Sequence, residues 1–337
     1  MKEAPELVSL ILAVPMRWAV RLFCLIQEGN MKLDLLRRRA TKRRLASTMA
    51  GVVLAAVSGA HAQGPQPARS SAVALTSSAE QVCPPPLPLP AGLLALTDKM
   101  LVPGTKFDLT GITPEAMQQI IAVQKEMASR QASDWPNLCR YAEQNAAVIA
   151  SGKRPLAVLL GDSITENWIR ADPALFNSEV LDRGIGGQTT PQMMLRVFPD
   201  VIALRPRVMH IMAGTNDISG NTGPESDQTI VDNIRAMVIL AKSNGIEVVL
   251  GSITPSKGFV MKPGFNPAPR IIRVNGLLRQ LAAEQRVRFV DYHTPLTDAA
   301  GGMPEQLSND GLHPNRAGYA IIKPLMLRAI AQASAGR

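Results

Sequence analysis

From Leu156 onward, short apolar runs alternate with longer stretches whose apolar residues recur every three to four positions. The runs LAVLL (156–160), EVLDR (179–183), RVMHIMA (207–213), IEVVLGS (246–252) and VRFVD (287–291) predict five strands. Helices are predicted near 190–204, 226–243, 268–285 and 315–333. Continuous apolar strands joined by helices imply a parallel sheet covered on both faces. Five such units fit a doubly wound, flavodoxin-like α/β fold, in which ligands bind beyond the carboxyl ends of the strands. The residues that directly follow each strand are therefore the candidates for chemistry. There is no internal repeat.

Upstream, the pattern changes. Thr113 can cap a helix with Pro114 in its first turn, and Met117, Ile120, Ile121 and Val123 give that helix an apolar side. A second helix is predicted from near Asp134 to Ala150, carrying Leu138, Tyr141, Ala142 and Val148. These two form an N-terminal helical extension (113–154) on the main domain (155–337). Residues 63–90 are rich in Pro, Ser and Ala without sustained periodicity, so 63–112 reads as a tether.

Residues 31–62 run from a basic stretch through a short apolar run, Met49 to Val57, to Ala60-His61-Ala62. That is the order of a signal peptide with a small-x-small cleavage site, and removal after Ala62 is expected. The apolar run is too short for a permanent membrane span. Residues 1–30 are apolar but interrupted by Pro15, Arg17 and Arg21, which disfavours a spanning helix. Met31 is the preferred true start, with an interfacial anchor as the alternative. The mature protein is then periplasmic or secreted.

Charge changes the picture little. The formal net charge is +9, but residues 1–62 hold ten Lys/Arg and four Asp/Glu, which is +6 of it. The remainder is nearly balanced and lacks the basic stripe that nucleic-acid binding requires. Of three cysteines, Cys83 and Cys139 remain after processing, either as a disulfide between extension and core or as two unrelated free thiols. Neither has metal-site spacing, no cofactor is implied, and a chelator is expected to leave the rate unchanged.

Four segments at strand ends carry chemistry. Gly161-Asp162-Ser163-Ile164-Thr165 places a serine on a strand-to-helix turn, where as a rule a serine is a helix cap and less often a nucleophile. Gly184-Ile185-Gly186-Gly187 permits close backbone approach to a ligand, or is merely a tight turn; its spacing departs from the phosphate-binding G-x-G-x-x-G. Asn216, in Gly214-Thr215-Asn216-Asp217, can cap a helix or donate an amide N–H to an oxyanion. Asp310 and His313 are three apart and can meet on a turn, the carboxylate fixing the imidazole tautomer. His293, two residues after Asp291, is the decoy; His61 leaves with the signal and His210 lies within an apolar strand.

Taken together, GDSIT (161–165), GIGGQTT (184–190), GTND (214–217) and DGLHP (310–314) resemble the four ordered blocks of the SGNH, or GDSL-type, hydrolases. The resemblance covers roughly 155–334 and is nearest the platelet-activating-factor acetylhydrolase-like and lysophospholipase-like branch. It implies a Ser163–Asp310–His313 triad and oxyanion donors from the backbone of Ser163 and Gly187 and the side chain of Asn216. The implied reaction is ester hydrolysis through an acyl-enzyme, rising with pH through a pKa around 6.5 as His313 becomes neutral. An acyltransferase acting on envelope polysaccharide and a lysophospholipase are the alternatives. Aromatics make up only 4% of the chain, which favours short acyl groups such as acetyl on a small-molecule or glycan ester. Trp168 and Phe176 either line a cleft or belong to the core.

Overall fold

The computed structural model describes residues 83–335 apart from 106, 109–111 and 260–261. The expected signal peptide, the start at Met31 and the first part of the tether lie outside the described residues. The chain opens with α1 (Ala91–Leu101), α2 (Pro114–Ser133) and α3 (Ala142–Ala150). It continues through β1 (Ala157–Gly161), α4 (Ser163–Glu166), α5 (Trp168–Ala171), β2 (Val180–Gly184), α6 (Thr190–Asp200) and β3 (Val208–Met212). Then come α7 (Thr215–Ser219), α8 (Asp227–Ser243), β4 (Glu247–Gly251), α9 (Ala268–Gln285), β5 (Arg288–Val290), α10 (His293–Leu296) and α11 (Arg316–Ser334).

The five strands form one parallel sheet in the order β2-β1-β3-β4-β5, the flavodoxin-like arrangement expected. Each strand lies within the run that predicted it or one residue beyond. Alternate side chains of β1 feed opposite faces, as a pleated strand requires. Val158 and Leu160 pack with Met209, Leu250 and the inner sides of α6, α8 and α9. Ala157 and Leu159 pack with Val249, Trp168, Tyr319, Ile322 and Met326 on the side of α11. Trp168 is fully buried against Tyr319, with ring centroids 5.3 Å apart, so it is core and not cleft. Phe176 packs against the same cluster.

Two features of the N-terminal part differ from expectation. The segment read as a tether contains α1, which begins after Pro90 and buries Leu96, Met100 and Leu101. Its apolar spacing was masked by the neighbouring prolines. The predicted second helix is broken: Asn137 adopts a left-handed conformation (φ 57°), and both Asp134 carboxylate oxygens accept the N–H groups of Leu138 and Cys139. Cys83 and Cys139 are joined as a disulfide, with Cα atoms 5.4 Å apart, which selects the bonded alternative. Among the described residues no helix is long and apolar enough to cross a membrane.

Candidate active site

The first turn after β1 is built by Asp162. Its carboxylate accepts the N–H of Ile164 and caps α4, which presents Ser163 at the first helical position. At the opposite end of the sequence, Asp310 organises its own turn. One carboxylate oxygen accepts from the N–H groups of Leu312 and His313 and from Ser308 Oγ. The other lies 2.6 Å from His313 Nδ1. His313 Nε2 in turn lies 2.9 Å from Ser163 Oγ. The three expected side chains, 150 residues apart at the extremes, therefore form one hydrogen-bonded row. Such a row can pass a proton from the hydroxyl to the imidazole while the carboxylate holds the ring's other N–H.

Electrostatics match this polarity. Burial alone would push the His313 imidazole down, but the Asp310 carboxylate, its hydrogen bond and the more distant Asp162 raise its pKa above the ordinary value. Asp310 shows the converse balance: burial pushes it up, and His313 with the surrounding N–H donors brings it below its usual value. Asp162 is raised to about 6 by burial, against the Ile164 N–H and His313.

The Gly184–Gly187 turn after β2 lies across from Ser163. A Cβ at Gly184 would fall 2.2 Å from the backbone nitrogen of Glu166, so only glycine fits there. Gly187 adopts φ +76°, the left-handed region that glycine enters without strain. Among the described residues no hydrogen bond takes up the backbone N–H of Ser163 or of Gly187. Asn216, the other expected oxyanion donor, has its side-chain amide already engaged. Its amide donates to Gln188 O at 3.0 Å and to Asp162 Oδ2 at 3.3 Å, while its own oxygen accepts from Asn221 at 2.8 Å. An oxyanion would have to displace the longer contact, to Asp162.

The decoy histidine is elsewhere engaged. His293 Nδ1 meets Thr297 Oγ1 at 3.1 Å, and its neighbour Asp291 is committed to Thr294 and Arg279. His210 is buried against the Tyr292 hydroxyl at 2.8 Å, and burial pushes it down to about 3. Asp162, Gln188 and Asn221 were not singled out from the sequence, although Asp162 and Gln188 lie inside the matching blocks. Beside the triad a cleft of about 450 Å³ is lined by Lys257, Phe259, Lys262, Phe265, Asp310 and Gly311.

Residues 159–321 match the GDSL-like Lipase/Acylhydrolase family. The crystal structure of a GDSL-like lipase from Bacteroides thetaiotaomicron is 37% identical, with a TM-score of 0.55, covering 59% of this chain and 98% of that one. The isoamyl acetate-hydrolyzing esterase of Saccharomyces cerevisiae is 29% identical over 203 residues, 51% of this chain and 84% of the yeast protein. The acetylxylan esterase of Geobacillus stearothermophilus is 27% identical over 160 residues, 45% of this chain and 71% of that enzyme. With a parallel sheet of this order and these relatives, the chain belongs to the GDSL-like lipase/acylhydrolase family and is a carboxylic ester hydrolase.

Proposed function

We propose that the protein is an exported serine esterase that removes short acyl groups, acetyl above all, through a covalent acyl-enzyme. The observation that carries this is the unbroken row from Ser163 Oγ through His313 to Asp310, at 2.9 and 2.6 Å. Ser163 attacks the ester carbonyl as His313 Nε2 takes its proton, forming the new C–O bond and a tetrahedral oxyanion. The N–H groups of Ser163 and Gly187, joined by Asn216 when it leaves Asp162, stabilise that charge. His313 returns the proton to the departing alcohol, and water repeats the sequence to release the acid and restore the serine.

The cleft lined by Lys257, Phe259 and Phe265 reaches Asp310 and Gly311 on the 310–313 turn, and is the candidate seat for the alcohol part of the ester. Polar ends around an apolar wall suit a sugar alcohol, and relatives named for isoamyl acetate and acetylxylan support acetyl as the acyl group. The Cys83–Cys139 disulfide supports export to an oxidising compartment. The test is Ser163→Ala assayed on p-nitrophenyl acetate, then an acyl-chain-length series and acetylated glycans on the wild type. The variant is expected to be inactive yet folded; retained hydrolysis would overturn the assignment.

A further inference from the structure

The helical extension, which lies outside the residues that match the family, meets the Gly184–Gln188 loop through Pro136 and Tyr141. The Tyr141 hydroxyl donates to the Gly184 carbonyl at 2.5 Å, and the ring is 6% exposed. The Arg140 and Arg183 guanidinium groups lie over that ring, 4.9 and 4.7 Å from its centroid. Arg140 also pairs with one oxygen of Glu166 at 3.1 Å, and the other oxygen accepts the Gly186 N–H at 2.7 Å. The Gln188 amide donates to the Pro136 carbonyl at 2.7 Å, and Gln192 to that of Trp135 at 2.9 Å. Gln188 is also the residue whose carbonyl holds Asn216. Cys139, beside Arg140, is bonded to Cys83.

The peptide that aims the Gly187 N–H thus lies between fixed points on both sides, and most of them originate in residues 135–141. We propose that this stretch is a positioning element for the oxyanion donors, with Tyr141 as its central positioning residue and the Cys83–Cys139 bond as its fastening. The proposal rests on the triad and oxyanion assignment given above. The Tyr141 side chain meets Gly184, Arg140 and Arg183 rather than Ser163, so it acts through Gly184. A hydrogen-bond donor aimed at an oxyanion is effective only at the right place, and small misplacements cost rate while leaving ground-state binding alone.

The test is Tyr141→Phe, with kcat and KM measured on p-nitrophenyl acetate and normalised to active sites titrated with a fluorophosphonate. The expected result is a kcat per titrated site lower by about tenfold, with KM within about twofold. The pH midpoint should stay at the wild-type value, because His313 and Asp310 are untouched. Unchanged kcat per site would overturn the proposal, as would a loss that vanishes on normalisation, which would mean a purely structural role. Should Tyr141→Phe not fold, Arg140→Gln, at an exposed position, carries the test: about threefold lower kcat is expected and none would refute it. If Ser163→Ala remains active, the triad assignment itself fails, a result distinguishable from a normal Tyr141→Phe.

Discussion

Replacing Asp310 by Asn exchanges one oxygen for an NH2 and removes a charge, with almost no change in shape. The structure dictates which way the new amide turns. Asp310 Oδ1 accepts two backbone N–H groups, from Leu312 at 2.9 Å and His313 at 2.8 Å, as well as Ser308 Oγ. An NH2 placed there would face two donors, so the amide oxygen must stay and the NH2 must occupy the position 2.6 Å from His313 Nδ1. A donor at that point forces Nδ1 to accept and puts the ring proton on Nε2. The nitrogen facing Ser163 then has no lone pair with which to take the serine proton. Loss of the correct tautomer in a triad of this type lowers kcat by about 10⁴, equivalent to about 5.4 kcal/mol of transition-state stabilisation. The assay is steady-state hydrolysis of p-nitrophenyl acetate, with circular dichroism to verify the fold. A folded Asp310→Asn enzyme that keeps more than about a tenth of the wild-type kcat would refute the reasoning.

The pH–rate curve offers a second measure. Only neutral His313 can accept a proton, and its pKa is raised above 6.5, chiefly against burial by Asp310 and with help from Asp162. The rising limb of kcat/KM should therefore have its midpoint above 6.5 and move down in Asp162→Asn; a midpoint at or below 6.5 in the wild type would contradict this. His313→Ala should be inactive and His293→Ala within about twofold of wild type, measured on the same ester; the reverse order would move the base to His293. Changing both Cys83 and Cys139 to Ser opens a loop spanning 56 residues, which loop-closure entropy values at about 4 kcal/mol. Urea unfolding should detect that loss, and a change below about 1 kcal/mol would mean the bond closes little that is open in the unfolded chain.

Much of this molecule is written locally. Strands buried on both faces need uninterrupted apolar runs, so LAVLL and RVMHIMA announce β1 and β3 to within a residue. Right-handed crossovers then leave few ways to order five parallel strands. Ser163, Gly187, Asn216, Asp310 and His313 could be picked out as candidates because each sits just past a strand or just before a helix, and the fold brings Ser163, His313 and Asp310 within hydrogen-bonding distance. Where periodicity was interrupted, legibility failed: prolines concealed α1, and the left-handed Asn137 broke a helix that its apolar spacing predicted. Periodicity states which side of an element faces inward but not what it will meet there. That Tyr141 would meet Gly184, that Gln188 would join Pro136 to Asn216, and that Asn216 would arrive with both its N–H groups engaged are contacts across 28 to 54 residues. Such contacts arise from two surfaces closing on each other, and burial in that closure sets the pKa values as well. Only the folded chain decides them.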